Sequence, residues 1–325
     1  MGDGTTGAGP GAGGGADDRV NDALAGLVAA ELDRPAPPQA VALARAIAAE
    51  RGGCVAAVLL YGSCRRAGDA SGLLDFYVLH DGARAFHGRA LPALLESVLP
   101  PTVLLRVAAD GTRAKVAVMS RRRFLRRLRP GGWDTTIWAR FCQPSTLIYA
   151  RDPAARAWAH RAVARAAATG ALWAARLGPE AAAPGEYWRG LFARTYGAEL
   201  RAERAGRSAL LHAASAAWFD AVLAPALAQA GARPVVLSDG RLRPGVPGPG
   251  RWGASWAARR VAGKALNLAR LVKAAFTFEG GADYLAWKIS RHGGVNLEPT
   301  PWQRRHPVLA APAVLWRLWR RGAVR

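Results

Sequence analysis

Residues 58–78 read VLLYGSCRRAGDASGLLDFYV and join two apolar runs through a glycine-containing connection. The first run ends at Tyr61, Gly62 and Ser63 interrupt it, and the second begins just before Asp75. This order predicts a strand, a turn that leads into a helix, and a neighbouring strand. Backbone N–H groups at such a turn, together with the Ser63 hydroxyl, can bind a polyphosphate.

Asp75 would then place a carboxylate on the second strand, beside the turn. A carboxylate in that position can hold the Mg²⁺ that a polyphosphate carries. The alternative is an ordinary strand, turn and hairpin in which Asp75 is a solvated strand end. The pattern by itself leaves both interpretations open.

The stretch resembles the Gly-Ser signature of the nucleotidyltransferase superfamily, and more closely that of the mitochondrial-type CDP-diacylglycerol synthases, also known as translocator assembly and maintenance proteins. The matching residues, in the same order, are Tyr61-Gly62-Ser63, Leu74-Asp75-Phe76 and Phe86-His87. The resemblance implies a phosphatidate cytidylyltransferase that converts CTP and phosphatidate into CDP-diacylglycerol and pyrophosphate with Mg²⁺. It also implies that Tyr61, Gly62 and Ser63 bind substrate. His87 could contact a phosphate, or it could be a packed or capping histidine.

Several cations match the family pattern further along the chain. Lys115 lies in the segment KVAVM and resembles a strand lysine of the family, which would neutralise charge growing on the departing pyrophosphate. A solvated strand lysine is the alternative. Arg140 and Pro144 also match, and Lys264 and Lys273 occupy places comparable to those of family lysines.

Residues 195–201 read TYGAELR and resemble a family segment whose acidic residue and arginine look functional. The resemblance thus suggests Tyr196 and Arg201 as substrate contacts and Glu199 as a second metal ligand beside Asp75. A surface pairing of Glu199 with nearby arginines is the alternative.

The pattern departs from most nucleotidyltransferases, which carry two carboxylates one residue apart on the strand. Here Asp75 is followed by Tyr77. A sugar hydroxyl must lose a proton to attack, whereas a phosphomonoester with a second pKa near ~6 is already mostly dianionic at neutral pH. A phosphate acceptor would therefore need no strong general base.

The composition favours a polyanionic partner. The 325 residues include 45 Lys and Arg against 23 Asp and Glu, which gives a formal net charge of +22. Nucleotide, nucleic acid and an anionic lipid surface all satisfy this requirement. The three cysteines, Cys54, Cys64 and Cys142, have no paired spacing, and no secretory leader begins the sequence, so a reduced compartment is expected.

The hydrophobic periodicity predicts an α+β fold, in which a mixed sheet has helices against one face, and the resemblance implies that this sheet is nucleotidyltransferase-like. Residues 1–18 are expected to form a disordered Gly-rich tail, residues 19–150 the sheet domain, and residues 151–250 a mainly helical domain that contributes to the cleft. Helices are predicted over 20–32, 38–50, 84–98, 154–177 and 187–218, and strands over 54–60, 73–79, 103–108 and 112–119. Residues 209–232 come closest to a membrane span, but His212, Asp220 and Pro225 interrupt them, so buried helices are expected there.

Residues 251–325 form a basic region with 14 Lys and Arg, 3 Asp and Glu, and six Trp. Arranged as a helix, one stripe would contain Val261, Ala265, Leu268, Val272 and Phe276, and another Arg260, Lys264, Asn267 and Arg270. This pattern favours an amphipathic helix that lies on an anionic bilayer. A helix docked on the protein core would show the same pattern.

The basic region favours a peripheral membrane protein, and the resemblance implies a place on the inner face of the cell membrane, or on the mitochondrial inner membrane in a eukaryote. CTP, phosphatidate and the membrane are the expected partners, nucleic acid is not expected, and the oligomeric state is left open. One rival is nucleotidyl transfer to RNA, protein or a small metabolite. Another is a non-catalytic membrane or nucleic-acid binding protein with a decayed nucleotidyltransferase fold.

Overall fold

A computed structural model describes residues 20–197, 211–277 and 300–305. The predicted tail over residues 1–18 and most of the basic region beyond residue 277 lie outside the described residues. Within the described ranges, no helix is both long enough and apolar enough to cross a membrane.

The core of the fold is a five-stranded mixed sheet with the order β3-β4-β2-β1-β5. Its strands are β1 (Val55–Tyr61), β2 (Leu73–His80), β3 (Thr102–Val107), β4 (Arg113–Ser120) and β5 (Thr146–Ala150). Strands β2 and β4 run parallel, and the other neighbours are antiparallel. The predicted mixed sheet is confirmed, whereas β5 was not predicted because its run is short and follows Pro144 closely.

The helices surround this sheet. They are α1 (Asp22–Leu32), α2 (Pro38–Ala49), α3 (Gly62–Ala67), α4 (Ala83–His87), α5 (Ala90–Val98), α6 (Arg121–Arg127), α7 (Thr136–Phe141), α8 (Pro153–Leu177), α9 (Pro184–Tyr196), α10 (Ala216–Gln229), α11 (Gly253–Thr277) and α12 (Pro301–Arg305). A small hairpin, β6 (Val235–Val236) with β7 (Leu242–Arg243), precedes a 3₁₀ turn at Pro249–Arg251.

The predicted helix over residues 84–98 is two helices, so that prediction was wrong in one respect. Gly88 adopts a left-handed conformation with φ of 66° and ends α4. A glycine takes this conformation without steric cost, which makes it a common helix terminator. The chain therefore turns at Gly88 and starts again as α5.

Both faces of the sheet are covered, which corrects the prediction of helices on one face only. On β2, Leu74, Phe76 and Val78 pack with α2, whereas Tyr77 and Leu79 pack with the helices of the C-terminal half and with α1. Side chains alternate between the two faces of a strand. Asp75 therefore points to the same side as Tyr77, toward the helical half of the molecule.

Helix α8 forms the centre of the helical half. Asp152 caps its N-terminus by accepting a hydrogen bond from the Ala155 N–H at 2.7 Å, and Pro153 occupies the first helical turn. Gly170 of this helix allows close approach, since a Cβ added there would lie 2.7 Å from Cys142 Cβ. One continuous cluster of buried side chains thereby joins the sheet to α8, α9 and α10.

Candidate functional site

Three polar side chains form a row across one end of the sheet. Tyr61 is the register partner of Asp75 in the antiparallel β1–β2 pair, and Asp75 is the register partner of Lys115 in the parallel β2–β4 pair. Register partners project from the same face of a sheet. A phenol, a carboxylate and an ammonium group, each half-buried, thus lie side by side on the face toward the helices.

Gly62 brings the backbone of the turn against the Asp75 carboxylate. Its φ is +86°, and a Cβ added there would lie 3.1 Å from Asp75 Cγ and closer still to Oδ2. Real Cβ atoms essentially never make so close a contact with an oxygen. The glycine is therefore required both for its backbone conformation and for the space that Asp75 occupies.

Helix α3 begins at Gly62, directly after β1, as the sequence predicts. The first N–H groups of any helix lack an intrahelical acceptor, and Ser63 is exposed among them. Beneath this turn Cys64 is buried, and its thiol donates to the Leu73 carbonyl at 3.3 Å. Burial raises the pKa of the Cys64 thiol, which favours the protonated form that donates this hydrogen bond. The thiol thereby links α3 to β2.

Arg140 reaches the same end of the sheet from α7. Its guanidinium lies 5.2 Å from the centre of the Tyr61 ring, within the range of a cation–π contact. The next residue, Phe141, packs edge-on against Tyr61 with ring centres 5.8 Å apart. Helix α7 is thereby fixed against the row, with Arg140 half-buried beside it.

Tyr77 fills the position that a second strand carboxylate would take. It is fully buried, and its ring centre lies 5.0 Å from that of Phe141 and 5.8 Å from that of Phe124. Burial raises the pKa of Tyr77 above its usual range, so the phenol stays protonated. The aromatic core thus closes the face immediately beyond Asp75.

His87 and Lys273 lie elsewhere in the molecule. His87 follows the far end of β2, and its Nε2 lies 2.8 Å from the buried Glu96 carboxylate. Lys273 donates to the Leu99 and Pro101 carbonyls, each at 2.6 Å, next to the first residue of β3. The structure therefore does not bring either residue to Asp75, because both bind groups at the opposite end of the sheet.

The remaining predicted residues are placed as follows. Lys264 is exposed on α11, and Tyr196 is half-buried at the end of α9, packed against the main core. Glu199 and Arg201 lie outside the described residues, so a second metal ligand from Glu199 stays a prediction. In the described part of the chain, no group of three or more His, Cys, Asp and Glu side chains could hold a metal ion.

A cavity of about 800 Å³ opens beside α3, between α1, β5 and residues 213–221. Arg65 and Arg66 of α3 line it, as does Arg34. Arg65 is held by an ion pair with Glu31 and donates to Thr146 Oγ1 at 3.2 Å. Sequence reasoning missed these α3 arginines, although they lie only two and three residues after Ser63 and add positive charge at the turn.

No protein-family model matches the chain, and a search of curated proteins found no match. The functional argument therefore depends on the geometry of the row formed by Tyr61, Asp75 and Lys115, with Gly62 beside it.

Proposed function

We propose that this protein is a metal-dependent nucleotidyltransferase of the phosphatidate cytidylyltransferase type. The observation that carries the proposal is the contact between the Gly62 backbone and the Asp75 carboxylate, with Lys115 as the next residue across the sheet. A carboxylate, a cation and a glycine turn in this order match what a nucleoside triphosphate with its metal requires. The strand arrangement supports the same class, because β1, α3 and β2 follow one another as the Gly-Ser signature implies.

The donor set fits Mg²⁺ bound through a substrate. Mg²⁺ is commonly held by one or two carboxylates, with substrate phosphates and water completing its coordination. Asp75 provides one carboxylate, and Glu199 is proposed as the second. When bound, the ion would neutralise phosphate charge and align the triphosphate for displacement.

The proposed reaction is displacement at the α-phosphorus of CTP. A phosphate oxygen of phosphatidate forms the new bond to this phosphorus, the bond to the bridging oxygen of the β-phosphate breaks, and pyrophosphate leaves with that electron pair. Lys115 would stabilise the charge that develops on the leaving group. Tyr61 and Arg140 would orient the nucleotide, and the Gly62-Ser63 turn would bind its phosphates.

The acceptor is proposed to be a phosphomonoester because the site has no place for a second strand carboxylate. Tyr77 occupies that place and is locked in the aromatic core. A phosphomonoester is mostly dianionic at neutral pH and attacks without losing a proton to the protein. The cavity is lined by Arg34, Arg65 and Arg66 and by one carboxylate, Glu31, which pairs with Arg34 and Arg65. Three cations against one anion leave a net positive charge that would attract such an acceptor.

The lipid nature of the acceptor draws support from α11. The apolar stripe expected on this helix is exposed where the structure describes it, with Val261 at 71% and Leu268 at 59%. Arg260 and Lys264 are exposed next to the stripe. Such a surface is typical of peripheral attachment to an anionic membrane, and a location on its inner face is proposed on this basis.

The decisive experiment incubates the full chain with labelled CTP, phosphatidate vesicles and Mg²⁺ and extracts the lipid phase. A labelled lipid nucleotide, together with release of pyrophosphate, is the expected result. If the label remains in water-soluble products or moves to RNA, the acceptor of the nucleotidyl group is not phosphatidate. Absence of any turnover with all four nucleoside triphosphates would favour the non-catalytic alternative.

A further inference from the structure

Helix α5 carries an exposed apolar stripe outside the C-terminal region. Leu91, Leu94 and Val98 are exposed to 65%, 59% and 72%, respectively. Their spacing places them on one side of a helix, since residues three and seven apart share a face. Three large apolar side chains on a nine-residue helix are thus presented to solvent instead of to the core.

The opposite side of α5 is attached to the protein through one carboxylate side chain. Glu96 is fully buried, and its two oxygens lie 2.9 and 3.0 Å from Nε2 of His80. His87 Nε2 and the Ser120 backbone N–H approach the same carboxylate at 2.8 and 3.2 Å. Burial opposes ionisation, but these hydrogen bonds hold the pKa of Glu96 below its ordinary value. Polar contacts therefore fix the helix while its apolar side chains face outward.

Helix α11 packs Trp256 into the main core near its N-terminus, and the rest of its inner side is attached through cationic side chains. Arg259 and Lys273 are buried on its inner side, and Arg270 donates to the Pro100 carbonyl at 3.0 Å. Lys273 donates to the Leu99 and Pro101 carbonyls. These three acceptors form the connection that directly follows α5, so α11 is fixed to the end of α5.

The exposed charged side chains within the two segments that carry the stripes are all basic. Within residues 83–98 the acidic residue is Glu96, which is buried, and residues 253–277 contain no Asp or Glu. Arg84 and Arg89 are exposed beside α5, as are Arg260 and Lys264 on α11. Exposed apolar side chains flanked by cations are complementary to an anionic phospholipid surface.

We propose that α5 and α11 together form one membrane-contact surface, in which Leu91, Leu94 and Val98 enter the interfacial layer of an anionic bilayer. The bilayer contact therefore does not depend on the C-terminal region alone. This inference deepens the proposed function, because the surface would hold the protein where a lipid phosphate is available. Two contacts on one rigid body bind a surface more tightly than either does alone.

The test measures partition of the full chain onto vesicles of phosphatidylglycerol and phosphatidylcholine in equal parts, without nucleotide or metal. We expect L91S/L94S/V98S to weaken partition at least about tenfold, since each apolar side chain contributes through the area it buries. The matched control is V235S/V236S, because these valines of β6 are also exposed. This control should bind as the unaltered chain does, and both variants should keep their thermal unfolding temperature.

A second variant, R84Q/R89Q, separates charge from apolar area. It should weaken binding at low salt, and the difference should shrink as salt screens the surface. Unchanged partition of the α5 triple variant would overturn the inference. If the triple variant instead loses self-association in sedimentation while vesicle binding persists, the stripe covers a second copy of this chain and the inference is equally overturned.

Failure of the proposed function would look different. Vesicle binding that depends on α5, combined with no lipid nucleotide product, would leave the membrane surface intact and remove only the chemistry.

Discussion

The Gly62 backbone and the Asp75 carboxylate lie against each other across the β1–β2 pair, so that a Cβ at position 62 would collide with the Asp75 side chain. The strand end, the start of α3 and the acidic side chain are therefore positioned by one another. A change at Gly62 should disturb Asp75 even though the two residues are 13 positions apart in the sequence.

Replacement of Gly62 by alanine should lower both stability and activity. The positive φ alone costs an L-residue about 1–2 kcal/mol, and the collision with Asp75 should add roughly 1–3 kcal/mol. G68A is the matched control, because Gly68 has a φ of +73° with nothing within 4 Å of an added Cβ. Urea unfolding should show the larger loss for G62A. Equal losses for the two variants would contradict the contact.

Replacement of Asp75 by asparagine should reduce lipid nucleotide formation at least about a hundredfold, because the amide removes the negative charge that would face the metal. D69N removes an equivalent charge from the exposed loop between α3 and β2 and should leave turnover unchanged. Product formation at saturating CTP is the measurement. Retained activity in D75N would remove Asp75 from the site.

Replacement of Lys115 by methionine should lower kcat by roughly a hundredfold, because this cation would act on charge that appears only in the transition state. KM for phosphatidate should change much less. R106Q is the control, since Arg106 lies on β3 and pairs with Ala114, whose side chain packs on the opposite face of the sheet. A K115M variant with raised KM and normal kcat would indicate ground-state binding instead.

Replacement of Asp134 by asparagine should destabilise the fold by up to about 3–5 kcal/mol at neutral pH, because it leaves two partly buried guanidinium groups without their charged partner. Asp134 is buried and pairs with Arg127 and Arg270. Although burial favours the neutral acid, Arg270 and Arg127 hold the pKa of Asp134 at about 2, below its ordinary 3.8.

The pH dependence of this effect has a defined sign. A depressed carboxyl pKa contributes stability above the ordinary value, and the contribution is lost as the pH falls through 3.8 toward about 2. The difference in unfolding free energy between the unaltered chain and D134N should therefore be constant near neutrality and shrink in that acidic window. The control is D239N, because Asp239 is an exposed carboxylate that pairs with Arg241. The unfolding free energy of D239N should differ little from that of the unaltered chain at any pH. If the difference in unfolding free energy between D134N and the unaltered chain instead grows on acidification, the pKa of Asp134 is not lowered.

Local patterns predicted much of the central sheet. The predicted strands over 54–60 and 73–79 correspond to β1 and β2, and the Asp110-Gly111 hairpin lies between β3 and β4. These features depend on short continuous apolar runs and on turn residues that act within a few positions. The glycine at 88 was missed as a helix terminator because an apolar helical pattern continued beyond it.

The predictions that failed or stayed undecided depended on distant contacts. Nothing local indicated that His87 would bind Glu96, or that Lys273 would bind carbonyls at Leu99 and Pro101. The amphipathic pattern of α11 likewise did not indicate which side of the helix would pack on the rest of the protein. That outcome depends on carbonyl groups 170 and 174 residues away, which hold the cations inward and leave the apolar stripe outside.

The inward cations of α11 also determine how attachment is controlled. A helix whose apolar side is covered until a signal is received must first break its docking contacts. This opening step costs free energy. Here the hydrogen bonds of Lys273 and Arg270 hold the helix with its apolar side already exposed. Binding through this exposed side should therefore be constitutive and should show no opening step in its kinetics. Its affinity should depend on the composition of the surface that it binds.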